Sequence, residues 1–203
     1  MNEIAEGLFH WKAVHPRIKT EVSSYYAEDA RTLIDPMLPD AGIEWFRSHG
    51  RPERIVLTNR HHYRESDALR REFDCPVMCN EAGLHEFEGG PKVEGFLFGD
   101  QIAPGIAALE VGAICPEETA LHIEAGGGTL SFADALINYG EIRFVSDRLL
   151  GDDPEAVKRG IHESLRALLE RDFDNLVFAH GDPLVSGGRA ALQGFVDAAG
   201  SGG

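Results

Sequence analysis

Three potential metal ligands, His61, Asp134 and His180, follow short strand-like runs at widely separated places in the sequence. Side chains at the ends of strands can share one site when the edges of their sheets meet, which is where open α/β folds place ligands. Imidazole and carboxylate groups are accepted by zinc, iron and manganese. The pattern therefore predicts a site for one divalent metal (zinc, iron or manganese). The alternative for each residue taken alone is an ordinary turn or surface role.

A second histidine, His62, stands beside His61 in the polar turn that follows the apolar run Ile55–Thr58. Ser66 can cap the helix predicted after this turn. An imidazole with no metal attached can act as a general base, so His62 is the candidate catalytic residue. Histidines in a loop after a strand are as often solvated and without function, and the sequence keeps both interpretations open.

Other polar side chains near this turn could bind a substrate or support a ligand. Asn59, Tyr63 and Arg64 are the predicted substrate-binding residues, because arginine and tyrosine donate hydrogen bonds to small anions. Asp35 precedes Pro36 at the end of an earlier predicted strand. It is either a turn former or a carboxylate that supports the site from behind a metal ligand.

The composition predicts a protein with a large core and small-molecule partners. Of 203 residues, 43% are apolar, and 34 acidic against 19 basic residues give a net charge of −15. This charge repels phosphate backbones and anionic headgroups, which disfavours nucleic acid and membrane surfaces and leaves a small-molecule ligand or substrate. The polar start of the chain does not resemble a signal peptide, and the three cysteines cannot all pair. We therefore expect a reduced, cytoplasmic protein.

The order of the predicted elements is strands first, then strands mixed with helices. This order favours an α+β fold, an αββα sandwich of two mixed sheets flanked by helices, over a doubly wound parallel sheet. We expect one domain over residues 1–200 with a loose tail at 201–203. An exposed edge strand near the amino terminus is compatible with a homodimer. The predicted strands include 8–14, 22–26, 31–36, 55–58, 76–79, 119–123, 129–133 and 175–179, and the main predicted helices are 41–49, 67–73, 153–171 and 188–198.

Four segments, taken in chain order, resemble the metallo-β-lactamase superfamily over nearly the whole chain. Leu33-Ile34-Asp35-Pro36 resembles its early strand ending in aspartate, and Ile55–Thr58 resembles the strand before its His-x-His-x-Asp-His signature. Thr129–Leu136 resembles the strand whose aspartate bridges two metals, which implies that role for Asp134. Val177–Pro183 resembles the final His-Gly segment. The resemblance implies the αββα fold and a metal-dependent hydrolase.

The sequence departs from that superfamily at its metal ligands. In the register set by the preceding strand, the four signature positions fall on Asn59, His61, Tyr63 and Arg64, so His61 alone keeps a ligand. The family's middle histidine is expected near Ile114, where the sequence has none. Arg64 also places a positive charge near any cation, which disfavours its binding. The resemblance therefore implies an incomplete dinuclear centre that retains one metal at the three positions predicted above.

Three functional interpretations remain open. In the first, His62, Glu65 or His122 completes a single-metal site, and the protein is a hydrolase acting on an ester, thioester or amide carbonyl. In the second, no metal binds, and the fold serves as a scaffolding or small-anion binding module. In the third, His61 or His62 acts as a general base without a metal. The sequence indicates neither the substrate nor the biological process, and it leaves open whether the protein is an enzyme.

Overall fold

The computed structural model describes residues 1–200, and the predicted tail at 201–203 lies outside the described residues. Loops and short 3₁₀ turns join the strands and helices of this range. The strands are β1 (Asn2–Ala5), β2 (Leu8–Val14), β3 (Glu21–Ala27), β4 (Thr32–Ile34), β5 (Arg54–Val56), β6 (Val77–Asn80), β7 (Glu94–Phe96), β8 (Gln101–Ala103), β9 (Ile106–Glu110), β10 (Thr119–Ile123), β11 (Thr129–Phe132), β12 (Ile137–Asn138), β13 (Ile142–Arg143) and β14 (Asn175–Phe178). The α-helices are α1 (Glu44–His49), α2 (Ser66–Phe73), α3 (Pro154–Leu168) and α4 (Gly188–Gly200).

The strands form two main sheets that face each other. The first has seven strands in the order β1-β2-β3-β4-β5-β6-β7, antiparallel up to β4 and parallel from there to β7. The second has five strands in the order β14-β11-β10-β9-β8. Its β11–β14 pair is parallel and its other pairs are antiparallel. Both sheets are therefore mixed, and β12 with β13 forms a separate small pair.

Apolar clusters hold the layers of the sandwich together. The central cluster joins the two sheets, with Tyr25 and Ile34 from the first packed near Leu121 and Val177 from the second. An outer cluster places α1 and α2 on the first sheet, and another places α3 and α4 on the second. Each sheet is thus covered on both faces, and burial of this apolar surface is the main stabilising contribution. The predicted αββα sandwich of two mixed sheets is confirmed.

The helix starts follow local sequence signals only in part. Helix α3 begins at Pro154, close to the predicted start at 153, and Asp153 caps it because its side chain accepts a hydrogen bond from the backbone N–H of Ala156 at 2.9 Å. Helix α1 begins at Glu44 rather than near Ala41 and has no side-chain cap. Ser66, the predicted cap of α2, lies in the first turn of that helix, and its hydroxyl has no hydrogen-bond partner within residues 1–200. No helix in this range has the length and apolarity needed to cross a membrane.

The sequence predicts no strand before Leu8, yet β1 pairs antiparallel with β2 at the edge of the first sheet. Asn2 and Glu3 of this strand are exposed, while Ile4 and Ala5 pack against the central cluster. Two apolar residues in a run of four are too few for periodicity to indicate a strand. A homodimer formed through this edge stays a prediction.

The carboxyl ends of the central strands of both sheets meet at one edge of the sandwich. Strands β4 and β5 run parallel, as do β11 and β14, so each pair ends on one side. Backbone hydrogen bonds join the two edges directly. The N–H of Thr119 donates to Thr58 O, and the N–H of Ser23 donates to Ala179 O, both at 2.9 Å. The segments that follow these strands therefore converge on one cleft.

Candidate metal centre

Three side chains direct potential ligand atoms to one point in this cleft: His62, Asp134 and His180. The Nε2 atom of His180 lies 3.1 Å from Asp134 Oδ1, and the Nε2 atom of His62 lies 3.5 Å from the same oxygen. All three ligand atoms lie within 4.8 Å of one another. Tetrahedral zinc bonds of about 2.0–2.1 Å would separate neighbouring ligand atoms by about 3.3 Å. The two spacings to Asp134 Oδ1, 3.1 and 3.5 Å, therefore suit neighbouring ligands of one metal ion.

His62 is oriented from behind by Asp35. Its side chain lies in the 3₁₀ turn Arg60–Tyr63 and is 5% exposed, with Nδ1 at 2.9 Å from Asp35 Oδ2. Asp35, 2% exposed, is held in turn by Thr58, whose backbone N–H donates to Asp35 Oδ1 at 2.8 Å and whose hydroxyl contacts Oδ2. A proton on Nδ1 would leave the lone pair of Nε2 facing the cluster. Metal-binding histidines commonly have this carboxylate support.

The charges of His62, Asp134 and their neighbours shift one another's pKa values. Burial alone would lower the pKa of His62, but the carboxylates of Asp35 and Asp134 outweigh it and raise this pKa to about 9. Burial would likewise raise the pKa of Asp134, yet His62 and His180 hold it well below its usual value. Without a metal, a protonated His62 therefore sits between two ionised carboxylates. A divalent cation would replace that proton on binding.

Asn59, a predicted substrate-binding residue, is instead enclosed in the wall of the cluster. It is 1% exposed, and its Nδ2 atom donates to Asp134 Oδ2 at 2.8 Å and to Glu118 Oε2 at 3.2 Å. Its Oδ1 atom accepts a hydrogen bond from the backbone N–H of His61 at 2.9 Å. Both ends of the amide are occupied by protein groups, so Asn59 has no donor left for a substrate.

Glu118, which the sequence pattern does not predict as a site residue, lies next to these side chains. It is 1% exposed, and its Oε1 atom accepts hydrogen bonds from the backbone N–H groups of Asp134 and Ala135, both at 2.7 Å. Burial and then the charge of Asp134 raise the pKa of Glu118 to about 8. A sequence feature that could have indicated Glu118 is its position directly before the strand that begins at Thr119. A middle ligand was expected near Ile114, whereas the acidic side chain that reaches the cluster lies four residues later.

The other predicted substrate-binding residues, Arg64 and Tyr63, donate hydrogen bonds to protein groups other than His62, Asp134 and His180. One Arg64 guanidinium nitrogen donates to Ser23 O and Asp35 O, both at 2.6 Å, and the other donates to Ala179 O at 3.4 Å. Arg64 therefore fastens the edges of the two sheets together. The Tyr63 hydroxyl donates to Asp67 Oδ1 at 2.8 Å.

The structure does not bring His61 to the cluster, and its neighbour His62 takes the expected position. His61 is exposed, because successive residues of a 3₁₀ turn point about 120° apart and only one of two adjacent side chains can face inward. The suggested additional ligands also lie elsewhere. His122 Nε2 is 2.8 Å from Asp172 O, and Glu65 accepts a hydrogen bond from the backbone of Leu38.

No family model matches the chain, and no curated protein matches it. Solved structures do match over almost its whole length. The DIM-1 metallo-beta-lactamase is 14% identical with a TM-score of 0.71, and the match covers 99% of this chain and 96% of that one. TTHA1623, solved in a di-iron-bound form, is 21% identical with a TM-score of 0.61, covering 90% of this chain and 91% of that one. The metallo-beta-lactamase family protein TTHA1429 from Thermus thermophilus is 16% identical with a TM-score of 0.64, covering 96% and 80%. The chain therefore has the metallo-β-lactamase fold, as the resemblance of its sequence predicts.

Proposed function

We propose that the protein is a metal-dependent hydrolase with an altered centre that binds one divalent metal through His62, Asp134 and His180. The observation that carries this proposal is the convergence of two imidazole Nε2 atoms on one oxygen of Asp134. The support of His62 by Asp35 strengthens it, because this contact orients the ring as a ligand. Three protein ligands would leave one coordination position open, which is typical of catalytic rather than structural zinc.

The proposed substrate is a small molecule with an ester, thioester or amide carbonyl. A divalent metal bound at the centre supplies a Lewis acid that polarises a carbonyl and lowers the pKa of water. The protein contributes orientation: Asp35 fixes His62, and Asn59 fixes Asp134. In this proposal His62 is a ligand and not a general base, because both of its ring nitrogens face carboxylates.

A metal-free scaffolding module is the second candidate function. The observation that favours it is the ion-paired network itself, in which a protonated His62 lies between the carboxylates of Asp35 and Asp134 and pairs with both. The small-anion version of this candidate has less support. The NH₂ group of Asn59 and the hydroxyl of Tyr63 already donate to other groups of the protein, as do three of the five N–H groups of Arg64.

Elemental analysis of protein purified without a chelator or a nickel column separates the two candidates. The hydrolase proposal predicts about one transition-metal ion per chain in the wild-type protein and its loss in His180→Ala. The exposed neighbour of the proposed ligand provides a matched control, because His61→Ala should keep the metal and His62→Ala should lose it. Less than about a tenth of an equivalent of any transition metal in the wild-type protein would end the proposal.

Turnover is tested separately with a panel of esters and thioesters, each assayed with and without added zinc or manganese. We expect hydrolysis of at least one compound that depends on the metal and is lost in His180→Ala. Bound metal without metal-dependent turnover across such a panel would favour a binding role for the centre.

A further inference from the structure

The other carboxylate oxygen of Asp134 meets the amide of Asn59, which also contacts Glu118. Glu118 directs Oε2 to 3.2 Å from Asn59 Nδ2, and Asp134 Oδ2 lies 2.8 Å from the same nitrogen. Within residues 1–200, Glu118 forms no ion pair with a lysine, arginine or histidine nitrogen at 4.0 Å or less. A buried carboxyl group, that of Glu118, and a half-buried one, that of Asp134, therefore approach the same nitrogen, while the imidazole partners of Asp134 lie at its other oxygen.

The Nδ2 atom of Asn59 lies between these two carboxyl groups and contacts both, at the point where a metal shared by them would lie. The amide oxygen accepts a hydrogen bond from the backbone N–H of His61, which turns the NH₂ group toward the two carboxyl groups. An amide NH₂ group has two hydrogens, and two acceptors face it, so both hydrogens are used. The point between Glu118 and Asp134 is therefore occupied by a hydrogen-bond donor rather than by a lone pair that could bind a metal.

The same contacts set the orientation of Asp134. Glu118 Oε1 holds the backbone N–H groups of Asp134 and Ala135, while Asn59 holds Oδ2. Oδ1 is then the oxygen presented to the two imidazoles. We propose that Asn59 and Glu118 are positioning residues that fill an adjoining cation position and so limit the centre to one metal. The part of this inference that one metal binds at the centre rests on the proposed function. The part that Asn59 and Glu118 block a second metal does not.

The substitution Asn59→Asp tests this directly, because it removes both amide hydrogens and adds a third carboxylate at the same point. Oxygen ligands suit manganese, so the variant should bind one more Mn²⁺ per chain than the wild-type protein. Calorimetric titration with Mn²⁺ gives the stoichiometry. Thermal unfolding with and without Mn²⁺ gives a second readout, in which the variant should gain more stability from Mn²⁺ than the wild type does. Adding Glu118→Gln to Asn59→Asp should remove the extra site.

The outcomes separate this inference from the proposed function. An additional Mn²⁺ in Asn59→Asp supports the inference even when the wild-type protein binds none, and that result contradicts the proposed function alone. A folded Asn59→Asp variant with the wild-type stoichiometry overturns the inference, as does a wild-type protein that binds two ions. If Asn59→Asp folds neither with nor without Mn²⁺, the metal affinity of the Glu118→Gln variant, measured by calorimetric titration, tests the inference instead. If this variant binds the metal of the His62, Asp134 and His180 centre about 10–100-fold more weakly than the wild type, the positioning role is supported. An unchanged affinity overturns it.

Discussion

The two oxygens of Asp134 face environments that differ in what they offer a cation. Oδ1 meets the Nε2 atoms of His62 and His180, which have lone pairs when the rings are neutral. Oδ2 meets the NH₂ group of Asn59, which has only hydrogens to give. One carboxylate therefore lies between a position that suits a metal and a position that a neutral amide has filled. The difference between acceptor and donor partners, rather than the number of polar groups, decides where a metal could bind.

The largest effect on metal affinity is expected from Asp134→Asn, which changes both carboxylate oxygens of this residue at once. The amide keeps the shape of the side chain but removes the charge that attracts a cation and adds a donor next to Asn59. We expect the affinity for Zn²⁺ to fall by more than about 100-fold, since a ligand is lost and not merely misplaced. Calorimetric titration measures it. The exposed Asp182 gives a matched control, and Asp182→Asn should bind Zn²⁺ like the wild type.

A smaller effect on metal affinity is expected from Asp35→Asn, which alters only the histidine position next to Asp134 Oδ1. The change weakens the hold on His62 Nδ1 without touching a proposed ligand, and losses of this kind lower metal affinity by about 10–100-fold. Zn²⁺ titration of the variant, with its folding checked by circular dichroism, measures the change. An affinity equal to that of the wild type would show that Asp35 does not orient a metal ligand.

Arg64→Lys tests the hydrogen bonds by which the Arg64 guanidinium joins the edges of the two sheets near the proposed metal centre. A lysine cannot reproduce the three hydrogen bonds to backbone carbonyls, two of which are at 2.6 Å. Hydrogen bonds to charged groups contribute about 1.5–3 kcal/mol, so the free energy of unfolding should fall by about that amount. Urea denaturation measures it. The exposed Arg71 provides the control, because Arg71→Lys should leave the stability unchanged.

The smallest effect concerns pH and a histidine outside the proposed ligand set. Burial, followed by the charge of Lys12, lowers the pKa of His10 to about 4, below the unfolded value of 6.5. His10 is thus neutral in the folded protein and protonated first in the unfolded chain. Its contribution to stability is present above pH 6.5 and is lost as the pH falls toward 4. Between pH 7 and pH 5 this contribution should decline by about 1–2 kcal/mol.

The variant His10→Gln should therefore show a shallower loss of stability over that range in urea unfolding. Glutamine can keep the hydrogen bond that His10 Nε2 makes with the Ser23 hydroxyl at 3.0 Å, so the two proteins should differ mainly in acid. Parallel pH profiles for the wild type and the variant would contradict this account of His10.

The sequence was sufficient for the fold because element order and strand ends carry that information. The strand Leu8–Val14 and the strand Thr119–Ile123 lie where periodicity predicts them. The sequence predicts Asp134 and His180 as site residues because each follows its strand within two residues. The two-sheet architecture then brought these positions to one edge, as the order of elements indicated.

The sequence could not predict which side chains of the turn at residues 59–64 face the site, and the reason is physical. In a 3₁₀ turn, neighbouring side chains diverge, so residue type alone cannot tell which of His61 and His62 faces inward. Arg64 then has a φ of 46°, in the left-handed region that non-glycine residues rarely adopt, and nothing in its residue type indicates this. Glu118 was missed because an acidic residue before a strand is ordinarily a solvated loop residue.

X-ray absorption spectroscopy of the zinc-loaded protein tests the central claim most directly. The account predicts a zinc ion bound by two imidazole nitrogens and carboxylate oxygen at about 2.0–2.2 Å. It also predicts that no second metal scatters at about 3.5–4 Å, the separation typical of two-metal sites. Spectra without imidazole scattering, or with a clear metal–metal distance, would contradict it.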